Sequence, residues 1–205
     1  MDVNIAIVDY GMGNIRSVQN SIFHLGFKST LVADPNELHK YRKIILPGVG
    51  AFGQAINCLN NSGMAEALNM QRQAGAHILG ICLGMQLMCS VSKEHGSHDG
   101  LNWFSANVLE FSSEDLVVPH MGWDEVDFVR EDPIFEGLQS GGDAYFVHGF
   151  YVQCLDSSDV LATTNYGLEF HSMIKRENLY GIQFHPEKSQ DFGLKILTNF
   201  FKIPC

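Results

Sequence analysis

The sequence predicts a single α/β domain over residues 1–205, with a mainly parallel central sheet, flanking helices and an antiparallel extension. In the first half of the chain, short apolar runs alternate with segments whose apolar residues recur at helical spacing. The second half contains short strand-like runs separated by turn residues, which favours antiparallel pairing. With 45% hydrophobic residues among 205, one sizeable core can form, and no linker, repeat or low-complexity segment divides it.

The first half predicts strands and helices in regular alternation. Strand Val3–Val8 leads through a glycine turn to a helix with Asn14 as its candidate N-cap and Gly26 at its end. The apolar face of this helix consists of Ile15, Val18, Ile22 and Leu25. The next elements are strands Ser29–Val32 and Ile44–Leu46, helices Phe52–Leu59 and Met64–Ala74, and strand Ile78–Ile81. Such alternation implies a parallel sheet with its ligand site at the carboxyl ends of the strands.

Cys82 directly follows the last of these strands and stands between Gly80 and Gly84, and a helical pattern starts at Met85. A cysteine with this glycine spacing on a strand-to-helix turn has the form of a nucleophile elbow, because small residues permit a sharp turn and close backbone packing. The helix N-terminus favours a thiolate, and the amides after the cysteine can stabilise an oxyanion. The alternative is an inert buried cysteine, since this residue is among those most often found in protein cores.

The rest of the chain predicts a polar loop, a series of short strands and a closing helix. The loop spans Ser92–Gly100, and its two histidines, His95 and His98, lack further ligands nearby and therefore do not predict a metal site. The predicted strands are Trp103–Leu109, Leu116–Val118, Glu125–Val129, Ala144–His148, Val160–Thr163 and Phe170–Ile174. The closing helix covers Ser189–Phe201.

A histidine and an acid follow a short apolar strand near the end of the sequence. His185 is the candidate general base for a cysteine nucleophile, because the pKa of histidine is suited to proton transfer near neutrality. Glu187 can orient it, since residues two apart at a strand end point the same way and Pro186 is expected to keep the backbone extended. His148 is a competing base, but it has no acid two residues further on. The sequence therefore favours His185.

Charge and composition exclude several classes of function. A formal net charge of −10 without any basic run argues against nucleic acid and anionic membranes as partners. Val3–Val8 begins a strand without a basic leader or a long apolar run, so neither a secretion signal nor a membrane span is expected. Five cysteines at irregular positions do not form a disulfide framework, which predicts a reducing, cytoplasmic setting.

The turn Gly11-Met12-Gly13 invites comparison with dinucleotide-binding loops, because Asp34 follows where a ribose-binding acid would stand. Arg16, however, occupies the place of the third glycine of that motif, and its bulk opposes close helix–strand packing. The sequence predicts no nucleotide, no metal and no other cofactor.

The segments Gly80-Ile81-Cys82-Leu83-Gly84-Met85-Gln86 and Gln183-Phe184-His185-Pro186-Glu187-Lys188-Ser189 resemble the class I (triad) glutamine amidotransferases. Four further motifs are most similar to the HisH-type glutaminase subunits of that family: Asp9–Asn14, Leu46–Phe52, Pro119–Trp123 and Tyr145–His148. The resemblance covers essentially the whole chain. It implies the flavodoxin-like fold of that family and a glutaminase that hydrolyses glutamine to glutamate and ammonia through Cys82, His185 and Glu187.

The same resemblance implies roles for further residues. The oxyanion would be held by the strand Gly48, Val49, Gly50 and by the amide of Leu83, and glycines in that strand let backbone N–H groups approach closely. Substrate glutamine would lie against Gln86, Glu94, His148 and Gly149. Glu94 corresponds to the acid that holds the α-amino group of glutamine, and Gln86 lies near its α-carboxylate. Gly149 departs from the family pattern, which has Ser or Thr at this place and so a hydroxyl that this chain lacks.

Nothing in the sequence resembles a second substrate site, so the ammonia is expected to pass to another subunit. The resemblance implies a HisF-type (β/α)8-barrel cyclase as heterodimer partner in histidine biosynthesis, with interface residues Asn14, Trp123, Tyr145 and Lys188. Two alternatives stay open. A paralogue could supply ammonia to a surface-sugar amidotransferase, which Gly149 and the stretch Glu169–Ser172 leave possible. The second alternative is a catalytically silent binding module of the same fold, against which the intact Cys82, His185 and Glu187 argue.

Overall fold

The computed structural model describes residues 4–111 and 116–204, and its first half alternates strands with helices. The strands are β1 (Asn4–Val8), β2 (Lys28–Val32), β3 (Lys43–Gly48) and β4 (His77–Cys82). The helices are α1 (Ile15–His24), α2 (Phe52–Asn61) and α3 (Met64–Gln73). This order confirms the sequence prediction for this half, except that Val3 lies outside the described residues.

The second half begins at the elbow with α4 (Leu83–Leu87) and is rich in strands. These are β5 (Cys89–Ser92), β6 (His98–Asp99), β7 (Phe104–Glu110), β8 (His120–Phe128), β9 (Gly142–His148), β10 (Phe150–Cys154), β11 (Val160–Asn165), β12 (Glu169–Arg176) and β13 (Leu179–Ile182). Helix α5 (Gln190–Lys202) follows them. Four 3₁₀ helices cover Pro35–Lys40, Pro133–Phe135, Ser157–Asp159 and Pro186–Lys188.

Within the described residues the strands form two sheets. The central sheet has nine strands in the order β2-β1-β3-β4-β13-β12-β11-β8-β9. Neighbours from β2 to β13 pair in parallel, and those from β13 to β9 pair antiparallel. This confirms the predicted mainly parallel core with an antiparallel extension. A second sheet, β10-β7-β5-β6, is separate, so the strand predicted at Trp103–Leu109 does not join the central sheet as expected.

The parallel strands inside the sheet, β1, β3, β4 and β13, are buried on both faces, which explains their continuous apolar runs, whereas the edge strand β2 is largely exposed. In β1, Ile5 and Ile7 pack in one core cluster together with Val18 and Ile22 of α1, whereas Ala6 packs in the other cluster, which contains residues of α2 and α3. Successive side chains of a strand point to opposite faces, so one strand contributes to both clusters. Burying an isoleucine of this kind stabilises the fold by roughly 1.5–3 kcal/mol.

Helix α1 begins and ends where predicted, but the expected side-chain cap at its start is missing. Gly26 adopts φ +79°, and its N–H donates to the carbonyl of Phe23, while that of Phe27 donates to Ile22, a glycine-dependent C-terminal cap. Asn14 occupies the N-cap position, but its side chain makes no capping hydrogen bond. The predicted capping role of Asn14 is therefore wrong.

Three other local predictions are wrong. The helix expected from Met85 ends at Leu87, because the carbonyl of Met88 accepts from the N–H groups of Trp103 and Phe104 and so pairs with the second sheet. Leu116–Val118 forms no strand. The strand predicted at Glu125–Val129 begins earlier, at His120, ends at Phe128 and pairs with β9 from His120 to Val126.

Candidate active site

Cys82 lies at a sharp turn between β4 and α4. Its backbone has φ +53° and ψ −112°, a conformation that non-glycine residues rarely adopt. The flanking glycines are required by close packing: a Cβ on Gly84 would lie 1.9 Å from the carbonyl oxygen of Leu46, and one on Gly80 would lie 2.7 Å from the carbonyl of Gly84. The elbow is thus pressed against the neighbouring strand β3.

His185 follows β13, the strand that pairs in parallel with β4, so the ends of both strands bring His185 to Cys82. Its Nδ1 lies 2.9 Å from Oε1 of Glu187, and the side chains of both residues are almost fully buried. The conformation expected of Pro186 was wrong, however. Pro186 begins a 3₁₀ helix and does not extend the strand, and this turn brings the carboxylate back to the imidazole.

The pKa of His185 is raised to about 9. Burial lowers it, but hydrogen bonds with Cys82 and Glu187, together with the charges of both groups, outweigh burial. His185 is therefore an imidazolium at neutral pH, with an acceptor on either side.

Cys82 and His185 open into a cavity of about 380 Å³. Its lining contains these predicted residues: Val49, Gly50, Cys82, Leu83, Gln86, Glu94, His148, Gly149 and His185. Glu187 lies behind His185, on the side away from the cavity lining. Pro119, Val147 and Phe150 also line the cavity. Pro119 and Val147 stand within motifs quoted from the sequence, but no place in the cavity was predicted for any of the three. All three belong to segments whose position depends on long-range strand pairing.

The segment Gly48–Gly50, at the end of β3 and just beyond it, runs beside the elbow. Gly48 pairs with Cys82 in the register of β3 and β4, and a Cβ on it would lie 2.8 Å from the amide nitrogen of Gly84. The hydroxyl of Tyr10 donates to the carbonyl of Pro47 at 2.9 Å and so holds the preceding peptide. Gly50 has φ +96°, which favours glycine. This backbone therefore packs directly against the elbow.

Glu94 is fixed at the edge of the cavity by the start of α2. Its Oε2 accepts the N–H of Phe52 at 2.8 Å, a favourable position for an acid because unpaired N–H groups of a helix N-terminus point toward it. The carboxylate adds negative charge to the cavity wall, where a ligand ammonium can pair with it.

Both ring nitrogens of His148 are engaged within the protein. Nδ1 donates to the carbonyl of Phe150 at 2.8 Å, and Nε2 lies 3.0 Å from Nδ1 of His120. The other nitrogen of His120 lies 2.6 Å from Oδ2 of Asp124. The pKa of His148 is lowered to about 3: burial is the main cause, the hydrogen bond to the Phe150 carbonyl opposes it, and nearby His120 and His185 add to the lowering. A neutral ring without a free nitrogen is unsuited to general-base catalysis, which leaves His185.

Two glutamines connect this region to the sulfur. Nε2 of Gln86 donates to the carbonyl of Phe150 at 2.9 Å and to Oε1 of Gln183 at 3.1 Å. Nε2 of Gln183 in turn lies 3.7 Å from Sγ of Cys82. No role was predicted for Gln183 from the sequence, although it stands in the same motif as His185.

Three of the four predicted interface residues lie together. The rings of Trp123 and Tyr145 are 5.8 Å apart, and Nζ of Lys188 lies 5.6 Å from the centre of the Tyr145 ring. The carbonyl of Tyr145 accepts the N–H of His185 at 2.9 Å, so this cluster adjoins His185. Asn14 lies apart from this cluster, at the start of α1 and after β1. In the sheet, β3 and β4 lie between β1 and β13, the strand that His185 follows.

Residues 4–111 and 116–204 contain no group of three or more His, Cys, Asp or Glu side chains arranged to hold a metal ion. The cysteines described there, Cys58, Cys82, Cys89 and Cys154, are all free thiols. In the same part of the chain, no helix combines the length and apolar character needed to cross a bilayer.

Comparison with known proteins gives consistent matches. The family model "Glutamine amidotransferase class-I" matches residues 6–203. The imidazole glycerol phosphate synthase subunit HisH of Sulfurimonas denitrificans is 48% identical over 202 residues, covering 97% of both chains. The HisH subunit of Chlorobium luteolum is 44% identical and covers 96% of this chain and 98% of its own.

Solved structures share the fold at lower sequence identity. PurLQS from Thermotoga maritima superposes with a TM-score of 0.78 at 19% identity, covering 98% of both chains. A GMP synthase subunit from Thermoplasma acidophilum gives 0.75 at 22% identity, covering 98% of this chain and 93% of that one.

Proposed function

Since the chain belongs to the class I glutamine amidotransferases and, within them, to the HisH subunits of imidazole glycerol phosphate synthase, we propose that it supplies ammonia to a HisF-type (β/α)8-barrel cyclase in histidine biosynthesis. As a member of this family it is a glutaminase. We propose Cys82 as nucleophile, His185 as acid and base, and Glu187 as the group that orients His185. The observation that carries this assignment is the buried His185–Glu187 pair beside a strained Cys82 at one cavity.

The proposed reaction begins with attack of the Cys82 thiolate on the side-chain carbonyl carbon of glutamine. A C–S bond forms, and the oxygen takes up the negative charge, which the amides of Leu83 and of Gly48–Gly50 stabilise. One donor of this kind typically accounts for a factor of about 10²–10³ in kcat. His185 gives its proton to the amide nitrogen, the C–N bond breaks, and ammonia leaves a thioester on Cys82.

Hydrolysis of the thioester completes the cycle. His185, now neutral, takes a proton from water as the water attacks the carbonyl carbon. The C–S bond breaks, glutamate leaves, and Cys82 returns as a thiolate beside a protonated His185. Glu94 pairs with the α-amino group of glutamine, and Gln86, His148 and Gly149 form the wall around it. The geometry that supports this is their common position on the cavity lining.

We further propose that residues 1–205 form one domain that works in the cytoplasm as half of a heterodimer. Trp123, Tyr145 and Lys188 lie next to His185 and would contact the cyclase, with Asn14 further along the same edge. The surface-sugar alternative rests on Gly149 alone, because Phe170 and Ser172 are buried in β12 and none of residues 169–172 lines the cavity.

The test measures glutamine hydrolysis by the chain alone and with a HisF-type cyclase plus the ribonucleotide substrate of that cyclase. We expect strong stimulation by the substrate-loaded cyclase, and loss of turnover in Cys82→Ala and Cys82→Ser with an unchanged circular dichroism spectrum. Turnover that the substrate-loaded cyclase does not stimulate would favour the surface-sugar alternative. Turnover that survives in Cys82→Ser would refute the nucleophile assignment, and no turnover in the folded wild type would favour the silent module.

A further inference from the structure

A line of hydrogen bonds between buried groups ends on the sulfur of Cys82. It starts at the carbonyl oxygen of Phe150, which accepts from Nε2 of Gln86 at 2.9 Å. The same nitrogen donates to Oε1 of Gln183 at 3.1 Å. Nε2 of Gln183 then lies 3.7 Å from Sγ of Cys82. Gln86 is 5% exposed and Gln183 is fully buried, so water does not compete for these contacts.

The chemistry of the groups fixes the direction of every link. A backbone carbonyl only accepts, so Gln86 must turn its NH₂ group toward Phe150. That NH₂ group has a second hydrogen, which requires an acceptor and therefore the carbonyl oxygen of Gln183. Once the oxygen of Gln183 faces Gln86, its NH₂ group is the end that faces Cys82. The orientation of one carbonyl thus determines that the sulfur receives a donor.

The starting point of this line is itself held in place. The Phe150 carbonyl accepts a second hydrogen bond, from Nδ1 of His148 at 2.8 Å. Because Nδ1 must carry the proton of the neutral ring, Nε2 is its unprotonated nitrogen, and it faces Nδ1 of His120 at 3.0 Å. At the far end, the backbone N–H of Gln183 donates to the carbonyl of Ser172 in β12 at 2.9 Å, which fixes the position of its main chain.

We infer that Gln183 is a positioning residue for the nucleophile: its amide donates a hydrogen bond to the Cys82 thiolate, in an orientation set by Gln86 and the Phe150 carbonyl. The inference rests on the proposed role of Cys82 and adds a donor that the catalytic triad does not contain. Gln183 does not line the cavity, so it acts on glutamine only through the sulfur.

A thiolate at Cys82 would gain more than a thiol from the buried amide donor of Gln183. A thiol is a weak acceptor, whereas a charged acceptor makes a hydrogen bond about twice as strong as a neutral one. The titratable groups near Cys82 are His185 after β13, Tyr10 after β1, and Glu94 and His148 on the cavity wall. His185 is cationic and Gln183 is a neutral donor. Together they hold the thiolate between two donors and orient its remaining lone pairs.

The experiment measures alkylation of Cys82 by iodoacetamide, followed by mass spectrometry of the peptide that contains Cys82. Gln183→Met keeps an unbranched side chain of similar length but removes the donor. At pH 7 we expect its alkylation rate to fall about tenfold or more, the effect of losing one hydrogen bond to a charged group.

Two further variants separate positioning from packing. Gln71→Met replaces another buried glutamine, on α3, and should alkylate at the wild-type rate at pH 7. Gln86→Met removes the orienting amide and should also slow alkylation at pH 7. In glutamine hydrolysis, Gln183→Met should lower kcat and leave KM nearly unchanged.

Equal alkylation rates for wild type and Gln183→Met at pH 7, in a variant with an unchanged thermal melt, would overturn the inference. If Gln183→Met does not fold, Gln183→Glu serves instead: it keeps the volume, replaces the donor by a carboxylate and should slow alkylation further. Alkylation requires no glutamine turnover. The proposed function fails separately, through turnover in Cys82→Ser.

Discussion

Cys82 combines a strained backbone with a buried charge partner. A residue at φ +53° stores strain of roughly 1–3 kcal/mol, which the surrounding contacts must offset. Here the offset comes from β3 and β4, whose pairing holds the elbow on one side, and from His185 on the other. This backbone conformation places the Cys82 side chain on the lining of the cavity, where glutamine would bind.

The pKa of His185 predicts a pH limit for turnover. Because it is raised to about 9, His185 keeps its proton at neutral pH and loses it as the pH rises through about 9. The first chemical step needs this proton for the leaving ammonia, so kcat should fall on the alkaline side with an apparent pKa near 9. The measurement is a pH profile of glutamine hydrolysis in the presence of the cyclase and its substrate.

The variant Glu187→Gln tests the cause of this limit. Glutamine keeps the size and an acceptor for Nδ1–H of His185 but removes the negative charge that raises its pKa. The alkaline limb should therefore move to lower pH, and kcat at pH 8 should fall. If kcat of Glu187→Gln fell at the same alkaline pH as kcat of the wild type, a group other than His185 would cause the fall.

At this scale the sequence predicted which candidate residues meet at one cavity, but not how they are connected. Cys82, His185 and Glu94 stand in recognisable local patterns, so their presence at one cavity could be expected from strand ends and family motifs. The relay from Phe150 through Gln86 to Gln183 could not be predicted. Its hydrogen bonds join residues 64 and 97 positions apart in sequence, and amide orientation depends on the tertiary neighbours.

The elbow is an element in which packing outweighs helix propensity. Gly84 lies within α4, where alanine would normally be preferred by about 1 kcal/mol. A Cβ at this position, however, would lie 1.9 Å from the carbonyl oxygen of Leu46 in β3, a backbone atom that cannot move without breaking strand pairing. Steric overlap therefore decides the residue here.

We predict that Gly84→Ala lowers the free energy of unfolding by about 1–3 kcal/mol or more, the usual cost of overpacking a tight site. Gly149→Ala is the matched control, because its Cβ would lie 3.6 Å from Cγ1 of Val118, an ordinary contact. Urea unfolding of both variants measures the difference. If Gly84→Ala were as stable as the wild type, the close contact between α4 and β3 would not constrain the elbow.

Element prediction succeeded where periodicity and turn residues agree and failed where tertiary pairing decides. The strands and helices up to β4 have clear apolar patterns, and Gly26 ends α1 as expected. In contrast, Met85–Met88 is apolar throughout apart from Gln86 and is buried, so its pattern cannot distinguish a long helix from a short helix followed by a strand. The second sheet decides this by taking the backbone groups of Met88 and Cys89.

At the scale of the whole molecule, the predicted order of strands and helices determines a parallel core, whose carboxyl edge carries the site. Strands β8 and β9 form the antiparallel end of the central sheet. They carry Trp123 and Tyr145, and the carbonyl of Tyr145 contacts the N–H of His185. Their position could not be derived from periodicity, because β8 pairs with the distant strand β11. Once the sheet is formed, the glutaminase site and the candidate partner surface become neighbours.

A substitution at Trp123 therefore tests the proposed complex with the HisF-type cyclase. Trp123 is 45% exposed although it is a large aromatic side chain, and it packs against Tyr145. Exposed tryptophans are enriched among the residues that dominate protein interfaces, where truncation commonly costs more than about 1 kcal/mol. We expect Trp123→Ala to weaken binding of the HisF-type cyclase about tenfold or more, measured by titration calorimetry, and to leave the thermal stability of the isolated chain nearly unchanged.

Phe23→Ala provides the matched control. Phe23 is 81% exposed and lies in the last turn of α1, which runs from the carboxyl edge of β1 back toward the opposite edge of the sheet. Its truncation removes a similar exposed aromatic group far from the site and should leave cyclase binding intact. Equal losses in both variants would place the contact elsewhere, whereas a loss confined to Trp123→Ala would link the partner surface to the edge that carries His185. Ammonia released at Cys82 would then leave the enzyme next to the subunit that consumes it.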